Sequence, residues 1–157
     1  MKLTDVIVKK AIVPALKAKD KKGVVAELVA AMKKAYPDER FSVGELTDAI
    51  MEREVVGSTG LHGGVAIPHA HLAGMKDLRG AFGRSAHPVD FKSVDGEPTH
   101  LFFLLAAPES KKQGYLEALK IVSTAIKGTH FCKFLRAAKT AKDIEDVLRE
   151  TEEIARV

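Results

Sequence analysis

Gly57-Ser58-Thr59-Gly60-Leu61-His62-Gly63-Gly64-Val65-Ala66-Ile67-Pro68-His69-Ala70-His71 is the stretch around which the remainder of the chain is arranged. Four of its first eight residues are glycines, which tolerate positive φ and close backbone approach. Amides freed by such turns can line a concavity suited to an anion, so the segment reads as a binding loop. Val65-Ala66-Ile67 is apolar and β-prone, and Pro68 pushes Ile67 toward extended geometry while offering no amide itself. His69 is therefore expected where a strand ends.

Working upstream, Ser42-Val43-Gly44-Glu45 has the capping-box pattern, and Leu46, Ala49 and Ile50 continue one face of a helix toward Arg53. That helix delivers Arg53 to the glycine-rich loop from its C-terminus. Before it, Asp20 caps a helix whose apolar positions Val24, Val25, Leu28, Val29 and Met32 recur at helical spacing, and Pro37 stops it. The chain opens with a short segment around Leu3 to Val8. Pro14, within Ala11 to Leu16, suits an edge strand or an irregular extended piece.

Downstream, Leu78 to Ala86 reads as a strand containing Arg84, and Leu101-Phe102-Phe103-Leu104-Leu105 as a strand buried on both faces. Between them, His87 to Thr99 carries Pro88, Asp95-Gly96 and Pro98, the marks of a connecting excursion. Ser110 to Gln113 resembles a second capping box, followed by Leu116, Leu119, Val122 and Ile126 on one stripe, with Gly128 ending that helix. Thr129 and Thr140 then begin two further helices, the last burying Ile144, Val147 and Leu148. Helices at both ends with strands between predict an α/β fold, a single mixed β-sheet flanked by helices, formed as one domain over residues 1–157.

The chain has 157 residues, 46% hydrophobic and 29% charged, with a net charge of +4. This is the composition of an ordinary soluble protein with a real core, and we expect it in the cytoplasm. No apolar run approaches the roughly 20 residues that span a bilayer, which argues against direct membrane insertion. The lone Cys132 excludes an intrachain disulfide and reads as a small buried helix residue. Basic residues are densest early, at Lys9, Lys10, Lys17, Lys19, Lys21, Lys22, Lys33 and Lys34. Without interleaved aromatics or a nucleic-acid module they point to an acidic protein partner rather than to nucleic acid.

Histidine is the residue to examine in the loop. Neutral imidazole is a competent nucleophile at pH 7, and its phosphorylated form is a transferable phosphoramidate. Phosphoryl transfer asks mainly for positioning and for positive or dipolar groups around the equatorial oxygens. Ser58, Thr59, the amides of Gly57 and Gly60, and Arg53 can supply them. Nothing in the chain matches a P-loop, a nucleophile elbow or a kinase signature.

Arg53-Glu54-x-x-Gly57-Ser58-Thr59-Gly60, followed by Gly64-x-Ala66-Ile67-Pro68-His69, resembles the active-site signature of the enzyme IIA domain of the fructose/mannitol class of the bacterial phosphoenolpyruvate:sugar phosphotransferase system, a class that includes nitrogen-regulatory IIA proteins. The resemblance extends over Pro88-Val89-Asp90-Phe91-x-x-x-Asp95-Gly96, the apolar strand, Leu116-x-x-Leu119 and Phe134-Leu135-Arg136-Ala137-Ala138. It implies that His69 accepts phosphate from a phosphohistidine carrier protein, that Arg53 stabilises the phosphoryl group, and that Gly57, Ser58, Thr59 and Gly60 bind it. It further implies delivery to a IIB domain or use as a signal toward a regulatory target protein, with no cofactor and no metal. The lone IIA-like unit fits regulation at least as well as sugar uptake.

One position departs from the pattern. Sugar-delivering members of the class show a second active-site histidine where this chain has Tyr115, whose phenol donates a hydrogen bond but carries no positive charge. His62 and His71, outside the signature, are candidates to compensate. Two further readings stay open: a regulatory binding module that keeps the fold without transfer, and a metal-dependent hydrolase built on His62, His69 and His71, the latter two sharing one side of an extended segment. His87, His100 and His130 lack such context and are read as structural or solvent-exposed.

Overall fold

The computed structural model describes residues 1–128 and 130–154, with side-chain surroundings given through residue 150. A short helix α1 (Leu3–Val6) and one 3-10 turn lead into β1 (Ile12–Val13), an edge strand as Pro14 suggests. Helix α2 (Lys21–Ala35) is capped by Asp20, whose carboxylate accepts from the Gly23 amide, and α3 (Val43–Val56) by Ser42, which accepts from the Glu45 amide. Strands β2 (Val65–Ala66), β3 (His69–His71), β4 (Arg79–Val89) and β5 (Thr99–Ala107) follow. Three helices complete the chain: α4 (Lys112–Ala125), α5 (Phe131–Ala137) and α6 (Ala141–Ile154).

The sheet runs β1-β4-β5-β2, with β3 also paired to β5. The β4–β5 pair is antiparallel, with Phe82 opposite Phe103, and every other pairing is parallel, so the sheet is mixed. β5 is its spine: eight of its nine residues are buried, which is why Leu101–Leu105 reads as continuously apolar instead of alternating. Alternation along β5 divides the core into two layers. Leu101, Phe103 and Leu105 pack with α1, α4, α5 and α6, while Phe102, Leu104 and Ala106 pack with α2 and α3. Glycines in β4 let these layers close: a Cβ on Gly80 would lie 2.8 Å from Ile7, and one on Gly83 2.7 Å from Leu16.

Four sequence expectations are corrected. His69 does not end a strand but starts one. β2 stops at Ala66 because the Ile67 amide turns to the Thr59 carbonyl and Pro68 has no amide; the ladder resumes where the Leu105 amide donates to the Pro68 carbonyl at 3.0 Å. β4 continues through His87 and Pro88 to Val89, across a register shift between Arg84 and Val89 that accommodates the proline.

Ser110 does not cap α4. Residues Glu109–Lys111 form a 3-10 turn after Pro108, and its i+3 bonding takes over the first amides, leaving α4 to start at Lys112 without a side-chain cap. The buried stripe of α4 is Tyr115, Ala118, Val122 and Ala125, while Leu116 is 52% exposed. Both stripes contain Val122 and both have helical spacing; the small residues win because they let α4 lie close on the sheet. Thr140 does open α6, its hydroxyl accepting from the Asp143 amide, with Ile144 and Leu148 buried. Thr129, the expected start of α5, lies outside the described residues.

Candidate functional site

His69 stands at the break between β2 and β3, and the break fixes its ring. The Ile67 carbonyl points back toward the side chain, and His69 Nδ1 lies 2.6 Å from that oxygen. A carbonyl can only accept, so Nδ1 carries the proton and Nε2 keeps its lone pair. Burial lowers the pKa of the ring, partly opposed by the Ile67 hydrogen bond, and the nearby Arg53 charge lowers it further. The imidazole is thus held neutral, in one tautomer, with the lone pair on Nε2.

Arg53 sits in the last turn of α3, and its Nη1 donates to the Gly57 carbonyl at 2.8 Å. Arg53 and His69 line one cleft of about 260 Å³ with Ser58, Thr59 and Ser123, walled by Leu61, Ile67 and Leu119. The structure therefore brings Arg53, the glycine-rich loop and His69 together. Ser123 escaped sequence reasoning, although it follows Tyr115 and Leu119 at steps of four along α4 and so shares their face.

Within the loop, most polar groups turn inward. The Thr59 amide donates to Glu54 Oε1 at 3.1 Å and its hydroxyl donates to Glu54 Oε2. Ser58 Oγ donates to the Phe91 carbonyl at 2.5 Å and accepts from the Gly60 amide at 3.0 Å. Gly60 is required by close approach, since a Cβ there would lie 2.9 Å from Ser93 Cα. Gly63 and Gly64 supply the left-handed turn, each at φ +78°. Ser58, Thr59 and Gly60 thus hold the cleft's floor through their own hydrogen bonds, with Gly57 anchoring the guanidinium of Arg53.

Glu54, which stands in the signature without an assigned role, acquires one in the structure. Its side chain is 2% exposed and meets Lys21 Nζ at 2.7 Å. Lys21 also donates to the Phe91 carbonyl at 3.3 Å and stands 4.5 Å from the Phe91 ring centroid. One buried carboxylate thereby links α2, α3, the glycine-rich loop and the segment before β5. The signal was present: Leu46, Ile50 and Glu54 are spaced by four, which puts a carboxylate on the apolar face of α3.

Tyr115 is 5% exposed, and its ring centroid lies 4.2 Å from that of His71 and 5.8 Å from that of His69. Burial raises its hydroxyl pKa to about 12, so the phenol stays neutral at physiological pH. His71 Nδ1 is 3.3 Å from the Ala107 carbonyl. Thus Tyr115, His69 and His71 are brought together, as the extended His69-x-His71 geometry requires. His62 is elsewhere, 76% exposed and facing Asp95 at 3.7 Å. Among the described residues no three His, Cys, Asp or Glu side chains are placed to hold one metal ion, so His62, His69 and His71 do not converge. His87 and His100 bond to backbone carbonyls, and His130 packs near Phe134.

A mixed sheet covered on both faces, with an Ile-Pro-His corner facing an arginine from a helix end, defines the class of the molecule. The family model for the phosphoenolpyruvate-dependent sugar phosphotransferase system, EIIA 2, matches residues 5–151, and the chain belongs to this family of phosphocarrier and regulatory IIA proteins. It is 37% identical over 148 residues to a nitrogen regulatory protein of Bradyrhizobium diazoefficiens, covering 94% of this chain and 95% of that protein. It is 36% identical to the fructose-specific EIIABC component of Bacillus subtilis, covering 96% of this chain but 23% of that longer protein. The crystal structure of nitrogen regulatory protein IIA-Ntr from Neisseria meningitidis superposes with a TM-score of 0.86 at 29% identity, over 93% of this chain and 98% of the other. Among the described residues no helix is long and apolar enough to cross a membrane.

Two measurements check this geometry. Lys21→Met strands the Glu54 carboxylate and should destabilise the fold by about 3 kcal/mol, the lower end for breaking a buried pair because Lys21 is 18% exposed. The exposed neighbour Lys22, changed to Met, should stay within about 0.5 kcal/mol of the parent in urea unfolding; equal effects would remove the pair from its holding role. In an NMR titration His69 should protonate below 6.5, with the Nδ1–H tautomer above its midpoint. As pH falls through 6.5 the unfolded chain takes up this proton first, so His69 contributes a loss of stability that grows until its folded pKa is passed. A midpoint above 6.5 contradicts the burial argument.

Proposed function

We propose that the chain carries a phosphoryl group on His69 Nε2, accepting it from a phosphohistidine carrier protein and passing it to a IIB domain or holding it as a signal to a regulatory target protein. The observation that carries this reading is the 2.6 Å contact of His69 Nδ1 with the Ile67 carbonyl, which leaves Nε2 as the free nucleophile beside Arg53. In the transfer, the donor's N–P bond breaks as the Nε2–P bond forms, and the donor imidazole leaves neutral with its own N–H in place. No net proton movement is needed. His69 gains ring charge, which the Ile67 carbonyl offsets through the bond it already makes, and burial keeps the lone pair available at neutral pH. The guanidinium of Arg53, fixed on the Gly57 carbonyl, faces the charge that develops on the phosphoryl oxygens.

A partner protein has a surface to cover here. Val55 and Val56, directly after Arg53 and Glu54, are 87% and 84% exposed and form an apolar rim at the end of α3. The similarity to a nitrogen regulatory protein over nearly the full length of both chains supports signalling. Tyr115 supports it as well. A phenol neutral up to about pH 12 orders the two imidazoles but cannot become cationic as the phosphoryl arrives or leaves, which favours slow exchange over rapid delivery.

Incubation with phosphoenolpyruvate, enzyme I and the carrier protein, followed by assay of acid-labile phosphate, tests the reading. The parent should be labelled and His69→Ala should not, with its fold unchanged. Arg53→Gln should slow transfer by about 10² to 10³, the cost of one preorganised donor. Tyr115→His should accelerate exchange, while Tyr115→Phe, which keeps the ring against His69 and His71, should leave it near the parent rate. Labelling of His69→Ala equal to the parent excludes His69 as acceptor, and a parent that takes no label leaves the non-transferring regulatory module as the function.

A further inference from the structure

A second constellation of positive groups lies apart from the residues that line the His69 cleft, where β4 and the start of β5 meet the end of α5. Arg84, Ser85, Ala86, His100 and Arg136 line a cavity of about 120 Å³. The guanidinium of Arg84 is fixed by two backbone carbonyls, its Nε donating to Arg136 O at 2.8 Å and its Nη1 to Pro14 O at 3.3 Å. His100 Nδ1 lies 3.0 Å from the Ser85 carbonyl, which assigns the proton to Nδ1 and leaves Nε2 free. Ser85 is buried and its hydroxyl donates to the His87 carbonyl at 2.6 Å, which fixes the part of the wall it forms. Neither Arg84 nor Arg136 has a carboxylate partner among the described residues.

Two arginines that line one small polar cavity bring like charge to it with no carboxylate partner among the described residues, and a bound anion would be favoured there. The arrangement is also preorganised. Arg84 is held by groups that satisfy two of its donors without neutralising its charge, which leaves its Nη2 donors to a ligand. A volume of about 120 Å³ is enough for a small oxyanion. We propose that Arg84 and Arg136 form a second anion site, which binds the phosphate group of free inorganic phosphate or of a small phosphate monoester, with His100 Nε2 placed to accept from a hydroxyl of the bound group. The site stands independently of phosphorylation at His69. It meets the glycine-rich loop through His100, whose amide donates to the Gly64 carbonyl at 2.9 Å.

The test is a residue-resolved NMR titration of the whole protein with inorganic phosphate and with glycerol 3-phosphate, at constant ionic strength against chloride. Saturable shifts are expected at Arg84 Nε–H, Ser85 and His100, and they should persist in His69→Ala, which separates them from binding in the cleft. Arg136→Gln keeps the backbone carbonyl that Arg84 grips and should weaken binding about tenfold or more, the loss of one charge-assisted contact. Arg136→Lys should recover part of it, and Lys133→Gln on the same helix should change nothing. Tighter binding of inorganic phosphate assigns the site to the free ion, and tighter binding of glycerol 3-phosphate assigns it to a monoester. Phosphate should also raise the unfolding midpoint of the parent and not of Arg136→Gln. Shifts that do not saturate, that spread over the lysine-rich surface, or that are unaltered in folded Arg136→Gln overturn the proposal.

Discussion

The buried carboxylate of Glu54 is the constraint on which the site depends. It collects the Lys21 ammonium from α2 and both the amide and the hydroxyl of Thr59 from the glycine-rich loop, while sitting one residue after Arg53 on α3. A carboxylate removed from water needs such partners, because an uncompensated buried charge costs several kcal/mol. Satisfying it fixes the loop to the helix that presents Arg53. The Phe91 carbonyl completes the arrangement by accepting from both Lys21 and Ser58, so the segment before β5 is drawn onto the same point. Rigidity in a loop with four glycines therefore comes from side chains that bind the backbone, and the glycines provide only the turns and the close approach to Ser93.

On the opposite side of the cleft the backbone itself does the tuning. Pro68 interrupts the ladder between β2 and β3, and the interruption turns the Ile67 carbonyl toward the His69 ring. Desolvation and the Arg53 charge pull the pKa of His69 down while that carbonyl pulls it up, and desolvation is the largest of the three. The balance leaves a neutral ring with its proton committed to Nδ1. Tyr115 then covers both His69 and His71 as a neutral aromatic, giving the site order without a second titratable cation at that position.

Much of this was legible in the sequence because single residues carry unambiguous physics. Asp20 and Ser42 are caps, Leu101–Leu105 has the length and continuity of a doubly covered strand, and Ile67-Pro68-His69 forces an extended corner. Elsewhere two solutions have the same period. Leu116, Leu119, Val122 and Ile126 fit a helical stripe as well as Tyr115, Ala118, Val122 and Ala125 do, and only the sheet beneath decides which side of α4 is down. The start of α4 was misplaced because a 3-10 turn after Pro108 satisfies the amides that a serine cap would have taken. Glu54, Ser123 and the Arg84–Arg136 cavity depend on contacts between residues distant in the chain, and spacing alone gives no such partner. Glu54 came nearest to being visible, as a carboxylate in line with Leu46 and Ile50.

Every element of the account converges on the chemical identity of one nitrogen. Long-range ¹H–¹⁵N and ³¹P correlation spectra of the protein after incubation with phosphoenolpyruvate, enzyme I and a phosphohistidine carrier protein would read that nitrogen directly. Phosphorus is expected on Nε2 of His69, with the Nδ1 proton still present and slowed in exchange by the Ile67 carbonyl. Phosphorus on Nδ1 of His69, or on the ring of His71 or His62, would contradict the account.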